Sequence, residues 1–281
     1  MRLSVDHLTT YRYEGTAQRS TQYVRLTPVS SRRQRVIEWH LDMPGTPRPG
    51  SDSFGNQLHV LTLDQPHREI AIRAWGEVEV HENEDPAGGA VELLSPLVYR
   101  RHTRLTRPSE AMLEFARRHA AGAGKLRDVE PLEALMHGLL ECMPYSPGAT
   151  HVASTASEAF AQGQGVCQDH THVFIACARS LGFAARYVSG YLYSDDPGHV
   201  ASHAWAEVWT DDSWHTFDVT NAARDPSHHL KLAVGLDYLD ACPVRGVRTG
   251  GGTESLATLA QVRRRDNDEP PLASWQEIPN Q

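Results

Sequence analysis

The segment 163–170, with the sequence GQGVCQDH, places a cysteine between a glycine-rich turn and an apolar stretch. Apolar residues then recur four positions apart at Val173, Cys177 and Leu181, which is the period of an α-helix. Cys167 is therefore predicted at or just inside the start of a helix, where unpaired N–H groups and the helix dipole favour an anion. Because the thiolate is the reactive form of cysteine, this segment predicts the presentation of a nucleophile. The same N–H groups are suited to receive the oxygen of a tetrahedral intermediate.

A single cysteine is ordinarily a small, buried apolar residue. Cys177 fits that description, since it lies on the apolar stripe of the predicted helix. Cys167 does not fit it, because glycines precede this residue and polar residues follow it. Cys167 is therefore the candidate nucleophile.

A predicted hairpin further along the chain carries the partners that a thiol nucleophile needs. The segment HAWAEVW begins at His203 and alternates strictly between two faces, and the segment WHTFD, which ends at Asp218, follows through the turn Asp211-Asp212. With a two-residue turn, Asp218 lies diagonal to His203 on the same face of the hairpin. A three-residue loop would place the two side chains on opposite faces, so the predicted contact depends on this register.

These residues together have the composition of a nucleophilic triad. A thiol becomes a strong nucleophile at neutral pH when an imidazole shares its proton, and the imidazole needs a third group to hold its ring and tautomer. Cys167, His203 and Asp218 supply the three groups in that order along the chain.

The pattern of secondary structure changes along the chain and predicts an α+β fold. Short alternating segments from residue 3 to about 80 predict half a dozen strands, as in an antiparallel β-sandwich or barrel. After a polar, breaker-rich stretch at 81–89, the predicted elements are helices, including the cysteine helix, and then an antiparallel sheet that carries the histidine and the aspartate. Three units are expected: an amino-terminal β-sandwich at 1–85, a catalytic core at 86–262 and a mobile charged tail at 263–281. Within the core, a helix-like stretch is expected at 230–235 and a last strand at 254–262.

Composition narrows the classes of partner. The formal charge of −8 argues against nucleic acid or an anionic membrane as the main partner. No apolar run approaches the length of a membrane span, and the amino-terminal residues lack the apolar segment of a signal peptide. The four cysteines lack disulfide-type or metal-type spacing, as is typical of reduced thiols, so a cytoplasmic protein is expected.

Four segments in order, 165–169, 181–191, 202–209 and 217–221, resemble the transglutaminase-like superfamily, the papain-related group of cysteine enzymes. The first 80 residues resemble the amino-terminal domain of its bacterial members, and residues 232–238 resemble a later segment. The resemblance implies a papain-like core and a thioacyl enzyme on Cys167, with His203 as base and then acid and Asp218 orienting it. It implies a peptide or protein substrate and no cofactor. Two departures concern substrate preference: His170 stands where an aromatic residue is usual, and Leu236 where an arginine is frequent.

Several alternatives remain open from the sequence. Hydrolysis of the thioacyl group by water, as in a peptidase or amidase, is favoured over transfer to an amine, and no calcium loop is visible. A non-catalytic peptide-binding module would share the fold but would be expected to lack a triad residue. A zinc site is the other alternative; its candidate ligands are Cys167, His170, His172, His199 and His203.

Two further features have both a structural and a functional interpretation. Asp169 is interpreted as a cap of the cysteine helix in preference to a participant in the chemistry. Trp205, Trp209 and Trp214 either line a peptide groove or pack across strands.

Overall fold

The computed structural model describes residues 1–81, 85–86, 93–119, 129–196 and 201–265. Over these residues the chain forms two antiparallel sheets, and helices pack on one face of the second sheet. The strands are β1 (Arg2–Val24), β2 (Gln34–Asp42), β3 (Arg48–Ser51), β4 (Gln57–Leu63), β5 (His67–Val80), β6 (Asp85–Pro86), β7 (Ala184–Leu192), β8 (Ser202–Thr210), β9 (Ser213–Phe217), β10 (His229–Gly235), β11 (Val244–Gly250) and β12 (Glu254–Arg264). The α-helices are α1 (Glu110–His119), α2 (Glu130–Cys142), α3 (Ala156–Gln162), α4 (Cys167–Ser180) and α5 (Tyr238–Ala241), and short 3-10 helices span Pro96–Arg100 and Pro226–His228.

The first sheet is organised around β1, which is long enough to pair with different strands along its two halves. Its first half lies between β5 and β12, and its second half lies between β4 and β11. Alternate residues of β1 are buried, so one face of the strand contributes to an apolar core. The predicted antiparallel β region is confirmed, and its strands form one hydrogen-bonded sheet of seven strands.

The carboxyl-terminal strands correct the predicted boundaries of the domains. Strands β11 and β12 pair with β1, with residues 3–13 opposite residues 254–264, so they belong to the amino-terminal sheet and not to the core that residues 86–262 were expected to form. The predicted tail also begins too early, because Arg263 and Arg264 lie in β12. Pairing partners more than 200 residues apart leave no local signature, which is why the sequence did not indicate them. Residues 266–281 of the predicted tail lie outside the described residues.

The second sheet carries the strands of the predicted hairpin. Its order is β10-β7-β8-β9-β6, and the strands pair antiparallel throughout. Helix α4 packs on the face that presents Ala204, Ala206 and Val208, and nearly all of its side chains are buried there. The α+β class, with a cysteine helix against an antiparallel sheet, is confirmed.

The stretch predicted as helix-like at 230–235 is wrong, because these residues form strand β10. A short apolar run is compatible with a buried strand or a buried helix, and periodicity alone does not separate them. Much of the breaker-rich stretch at 81–89 lies outside the described residues, although residues 85 and 86 pair with β9 as strand β6.

The two sheets are joined through the outer edge of β10. The amide side chains of Gln34 and Asn56 pair with the backbone of β10 as a neighbouring strand would. Gln34 donates to the carbonyl of Lys231 and accepts from its N–H, and Asn56 does the same with Val234. All four N···O distances are 2.8 Å. Leu230 of the same strand packs into the core of the first sheet. The amino-terminal region therefore satisfies an edge that would otherwise expose unpaired backbone groups.

None of the helices among the described residues combines the length and apolar character needed to cross a bilayer.

Candidate active site

Cys167 is the first residue of α4, as the sequence predicts, and the start of the helix is built by its neighbours. The Asp169 carboxylate accepts a hydrogen bond from Val166 N at 2.9 Å and another from the Thr150 hydroxyl at 2.6 Å. Gly165 permits this arrangement, because a Cβ at that position would lie 2.7 Å from the Asp169 side chain. The predicted structural role of Asp169 is confirmed, and the cap leaves the first N–H groups of the helix beside the sulfur.

The hairpin of β8 and β9 has the register that the sequence predicts. Its turn is Asp211-Asp212, with positive φ values of 46° and 58° that match a type I′ turn, and Trp209 pairs with Trp214. Asp218 follows the last residue of β9, and its N–H and C=O both bond to Ala223. The loop after β9 thus holds the backbone of Asp218.

The structure brings His203 and Asp218 into direct contact. His203 Nε2 lies 2.8 Å from Asp218 Oδ2, and both side chains are buried. Cys167 acts on the same ring, because its side chain and its charge raise the pKa of His203. Because Nε2 is engaged by the carboxylate, the other ring nitrogen, Nδ1, is the one suited to bond the sulfur. The three predicted residues therefore meet at the start of α4, with His203 in the middle.

The protonation of His203 is governed by these neighbours. Burial alone would lower the pKa of His203, but hydrogen bonds to Asp218 and Cys167, together with their negative charges, raise it to about 10. Burial opposes ionisation of Asp218, yet the hydrogen bonds from His203 and His229 hold its pKa well below the usual range. At neutral pH the ring of His203 therefore keeps its proton beside the ionised carboxylate of Asp218.

A second histidine and an asparagine complete the surroundings of Asp218. Oδ2 accepts hydrogen bonds from His229 Nε2 at 2.9 Å and from Asn221 Nδ2 at 2.8 Å, in addition to that from His203. Sequence reasoning did not single out His229 or Asn221. His229 is the first residue of β10, a segment whose sequence predicts a helix-like stretch at 230–235. The sequence pattern therefore gives no indication that His229 lies beside Asp218. Asn221 lies in the segment 217–221 that carries part of the family resemblance, three residues after Asp218, and this proximity is the signal that could have found it.

The zinc ligands considered from the sequence are not gathered into one site. His170 donates from Nε2 to the Met143 carbonyl at 2.8 Å and bonds the Thr220 hydroxyl through Nδ1. His172 Nε2 accepts from the backbone N–H of Tyr238. Burial lowers the pKa of both rings, to about 4 for His172. His199 lies outside the described residues.

A different cluster could hold a metal ion. The imidazole nitrogens of His203 and His229 and a carboxylate oxygen of Asp218 lie within 4.8 Å of one another. The donor types suit zinc, but the same atoms already satisfy one another through direct hydrogen bonds of 2.8 and 2.9 Å.

Two of the three tryptophans, Trp205 and Trp214, are buried in packing contacts and do not line a groove. Trp205 and Trp214 are each only 1% exposed. The Trp205 ring lies against the imidazoles of His203 and His229, with centroid distances of 6.2 and 4.9 Å. Trp209 meets Trp214 edge-on, 5.3 Å between centroids. The packing interpretation is confirmed for Trp205 and Trp214.

The surface beside Cys167 is formed by the loop between α2 and α3. Ser146 N donates to the Gly165 carbonyl at 2.8 Å, and Gln168 Nε2 donates to the Val152 carbonyl at 3.1 Å. Tyr145 and Val152 are 48% and 64% exposed. Burial raises the pKa of Tyr145, and the nearby charge of Cys167 raises it further. The nucleophile therefore opens onto a surface that carries exposed apolar side chains.

Helix α4 begins at a cysteine and packs on an antiparallel sheet that presents a histidine and a carboxylate, which defines an α+β protein with a Cys-His-Asp cluster. Residues 114–219 of this fold match the model of the transglutaminase-like superfamily, and residues 3–79 match that of the bacterial transglutaminase-like N-terminal region.

Two relatives and one solved structure match over most of the chain. An uncharacterized protein of Mycobacterium leprae is 31% identical over 277 residues, which cover 94% of this chain and 99% of the relative. One from Mycobacterium tuberculosis is 31% identical over 275 residues, covering 88% and 87%. The crystal structure of a provisionally assigned cysteine protease from Cytophaga hutchinsonii superposes with a TM-score of 0.77 at 20% identity, covering 99% of this chain and 94% of that one. The chain belongs to the transglutaminase-like superfamily and carries the amino-terminal region found in its bacterial members.

Proposed function

We propose that this protein is a cysteine-dependent acyl-transfer enzyme that cleaves an amide or peptide bond and hydrolyses the resulting thioester. The observation that carries the proposal is the position of His203, which lies 2.8 Å from the Asp218 carboxylate and whose pKa is raised by the Cys167 side chain. Membership of the transglutaminase-like superfamily supports it. Cys167, His203 and Asp218 are the proposed catalytic residues, and no cofactor is required.

In the first half of the reaction the Cys167 thiolate attacks the carbonyl carbon of the substrate. The π electron pair of the C=O bond moves to the carbonyl oxygen, which becomes an oxyanion. The free N–H groups at the start of α4 are placed to donate to that oxyanion. His203 then transfers its proton to the leaving nitrogen as the C–N bond breaks, which releases an amine and leaves a thioester on Cys167.

In the second half a water molecule attacks the thioester and gives a proton to His203. The C–S bond breaks, the carboxylic acid leaves, and the thiolate–imidazolium pair is restored. Asp218 holds the ring in one orientation throughout and stabilises its positive charge. An amine in place of water would give transfer instead of hydrolysis, so the two outcomes share the first half.

We propose a peptide or protein as the substrate. The exposed Tyr145 and Val152 beside the nucleophile support this, since they offer apolar contact to an extended chain. A cytoplasmic location remains a prediction.

The first test compares the reactivity of the four thiols with iodoacetamide. Cys142 is exposed, Cys167 is only partly exposed, and Cys177 and Cys242 are buried. Burial raises the pKa values of Cys142, Cys177 and Cys242. If accessibility alone decided the rate, Cys142 would react first.

An activated nucleophile predicts the opposite order, with Cys167 alkylated fastest at neutral pH, measured by peptide mass spectrometry. His203→Ala is expected to remove this advantage and leave Cys142 unchanged. Equal rates at Cys167 and Cys142 in the native protein would count against the enzymatic proposal and in favour of a non-catalytic binding module.

The second test distinguishes hydrolysis from transfer. A library of peptide amides is incubated with the protein, and the acyl group on Cys167 is trapped by acid quenching and detected as a mass increase. Added primary amine is expected to leave the acid as the main product. An amide of the added amine as the main product would replace the hydrolase with a transferase.

A further inference from the structure

His229 is a buried histidine that the proposed reaction does not use directly. It is 4% exposed, and its Nε2 lies 2.9 Å from the same Asp218 oxygen that accepts from His203. Asn221 Nδ2 donates to this oxygen as well, at 2.8 Å. One carboxylate oxygen thus collects three hydrogen bonds while the other accepts only the Asn221 N–H, at 3.3 Å, among the described residues.

The chemical state of His229 identifies it as a donor. Burial lowers its pKa, although Asp218 opposes this effect, so the ring is neutral at pH 7. Its partner is a carboxylate, which only accepts, so the proton of the neutral ring lies on Nε2. His229 Nδ1 has no hydrogen-bond partner among the described residues. A ring buried in this way, without a second partner, holds a proton in place and does not relay it.

The surrounding structure holds this ring in one position. The edge of Trp205 packs against His229 with a centroid distance of 4.9 Å. His229 opens β10, whose inner edge pairs with β7. The outer edge of the strand is hydrogen-bonded by the amide side chains of Gln34 and Asn56 from the amino-terminal region. The donor is therefore anchored from both sides of its strand.

We propose that His229 is a positioning residue that fixes the Asp218 carboxylate for His203. The terminal torsion of an aspartate is broad, so a buried carboxylate needs external donors to hold one oxygen toward a chosen partner. By donating to Oδ2, His229 keeps this oxygen in line with His203 Nε2 and so keeps His203 Nδ1 directed at Cys167. This inference rests on the proposed function, because it assigns His229 a role through the catalytic pair.

The experiment measures the rate at which iodoacetamide alkylates Cys167 at neutral pH in four variants. His229→Leu removes the donor at similar volume, and His229→Gln places an amide N–H near the position of Nε2. Asp218→Asn removes the carboxylate, and the double variant His229→Leu/Asp218→Asn completes a double-mutant cycle. His228→Leu is the matched control, because His228 is adjacent in sequence and exposed.

His229→Leu is expected to slow alkylation by about tenfold, since a hydrogen bond to a charged group is lost. His229→Gln and His228→Leu are expected to stay within about threefold of the native rate. In the Asp218→Asn background, His229→Leu is expected to have no further effect, because a residue that acts through the carboxylate has nothing left to position. If His229→Leu does not fold, His229→Asn replaces it, since its shorter amide does not reach Oδ2.

A native rate in His229→Leu would overturn the inference, and so would equal slowing in both backgrounds, which would indicate a purely structural role. Stoichiometric zinc in the purified native protein, lost in His229→Gln, would also overturn it, because the three side chains would then be ligands. These outcomes differ from failure of the proposed function, in which native Cys167 is no more reactive than Cys142.

Discussion

Replacing Asp218 by asparagine tests how far one buried carboxylate controls the state of His203. The two side chains share a hydrogen bond of 2.8 Å, and both are buried. In the native protein Asp218 and Cys167 overcome the effect of burial and raise the pKa of His203 to about 10, so the ring keeps its proton at neutral pH. Asparagine keeps the shape but removes the charge, so the pKa of His203 is expected to fall and the ring to hold its proton less tightly at neutral pH.

The size of the effect follows from this pKa. A rise from 6.5 to about 10 corresponds to roughly 5 kcal/mol in favour of the protonated ring, at about 1.4 kcal/mol for each pKa unit. Asp218 and Cys167 share this stabilisation. The hydrogen bond from a charged group to Asp218 contributes roughly 3 kcal/mol at most, so its loss reduces the population of the imidazolium by up to roughly a hundredfold.

The assay is the rate of Cys167 alkylation as a function of pH. Native Cys167 is expected to react already at about pH 6, where a protonated His203 lies beside the sulfur. The pair persists until the pH rises through the pKa of His203, where the imidazolium loses its proton. In Asp218→Asn the rate is expected to fall by roughly a hundredfold at about pH 6 and to recover only in alkaline solution, where the thiol ionises unaided.

Asp64→Asn is the matched control, since the Asp64 side chain is 65% exposed and Asp64 lies in the connection between β4 and β5, outside the candidate site. Its rate profile is expected to match that of the native protein, and circular dichroism checks that both variants are folded. An unchanged rate at about pH 6 in folded Asp218→Asn would refute the reasoning, because the protonation of His203 would then not depend on the carboxylate.

Two further changes test the structural support of the site. Asn56→Ala removes two hydrogen bonds to Val234 and leaves its backbone groups unpaired, so urea denaturation should show a loss of about 2–5 kcal/mol. Gln57→Ala, at the exposed neighbouring position, should change stability by less than about 0.5 kcal/mol, and a similarly small loss in Asn56→Ala would contradict the edge-pairing role. Gly190→Ala places a Cβ 2.1 Å from the adjacent backbone and 2.7 Å from the Trp205 ring, so it should displace that ring. A weaker near-ultraviolet tryptophan signal and slower alkylation of the nucleophile are expected, and native values of both would show that the close packing is not required.

Local patterns were sufficient to predict the candidate triad. The start of α4 follows from helical periodicity after a glycine-rich turn, and the facing of His203 and Asp218 follows from strict alternation through a two-residue turn. The positive φ values of Asp211 and Asp212 show why that turn works, since aspartate tolerates the left-handed conformation better than most residues. Each inference used residues within about fifteen positions of one another.

Other features of the site were not predictable in this way. His229 reaches Asp218 only because β10 is a strand, and its short apolar run looked helical in isolation. The amide hydrogen bonds to β10 join residues that are far apart in the sequence: Gln34 and Lys231 are 197 positions apart, and Asn56 and Val234 are 178 positions apart. No local period records such a pairing.

The sequence by itself determined the local elements of the candidate site: which cysteine begins a helix, which histidine and aspartate share a face, and which family the chain resembles. Only the tertiary structure decided which side chains donate hydrogen bonds to Asp218 and which distant strands pair with β1. It also decided that Trp205 is buried in packing contacts and does not line a groove. The reason is physical. Propensity and periodicity act over a few neighbouring residues, whereas burial and the satisfaction of backbone and carboxylate hydrogen bonds depend on contacts made after distant segments have met.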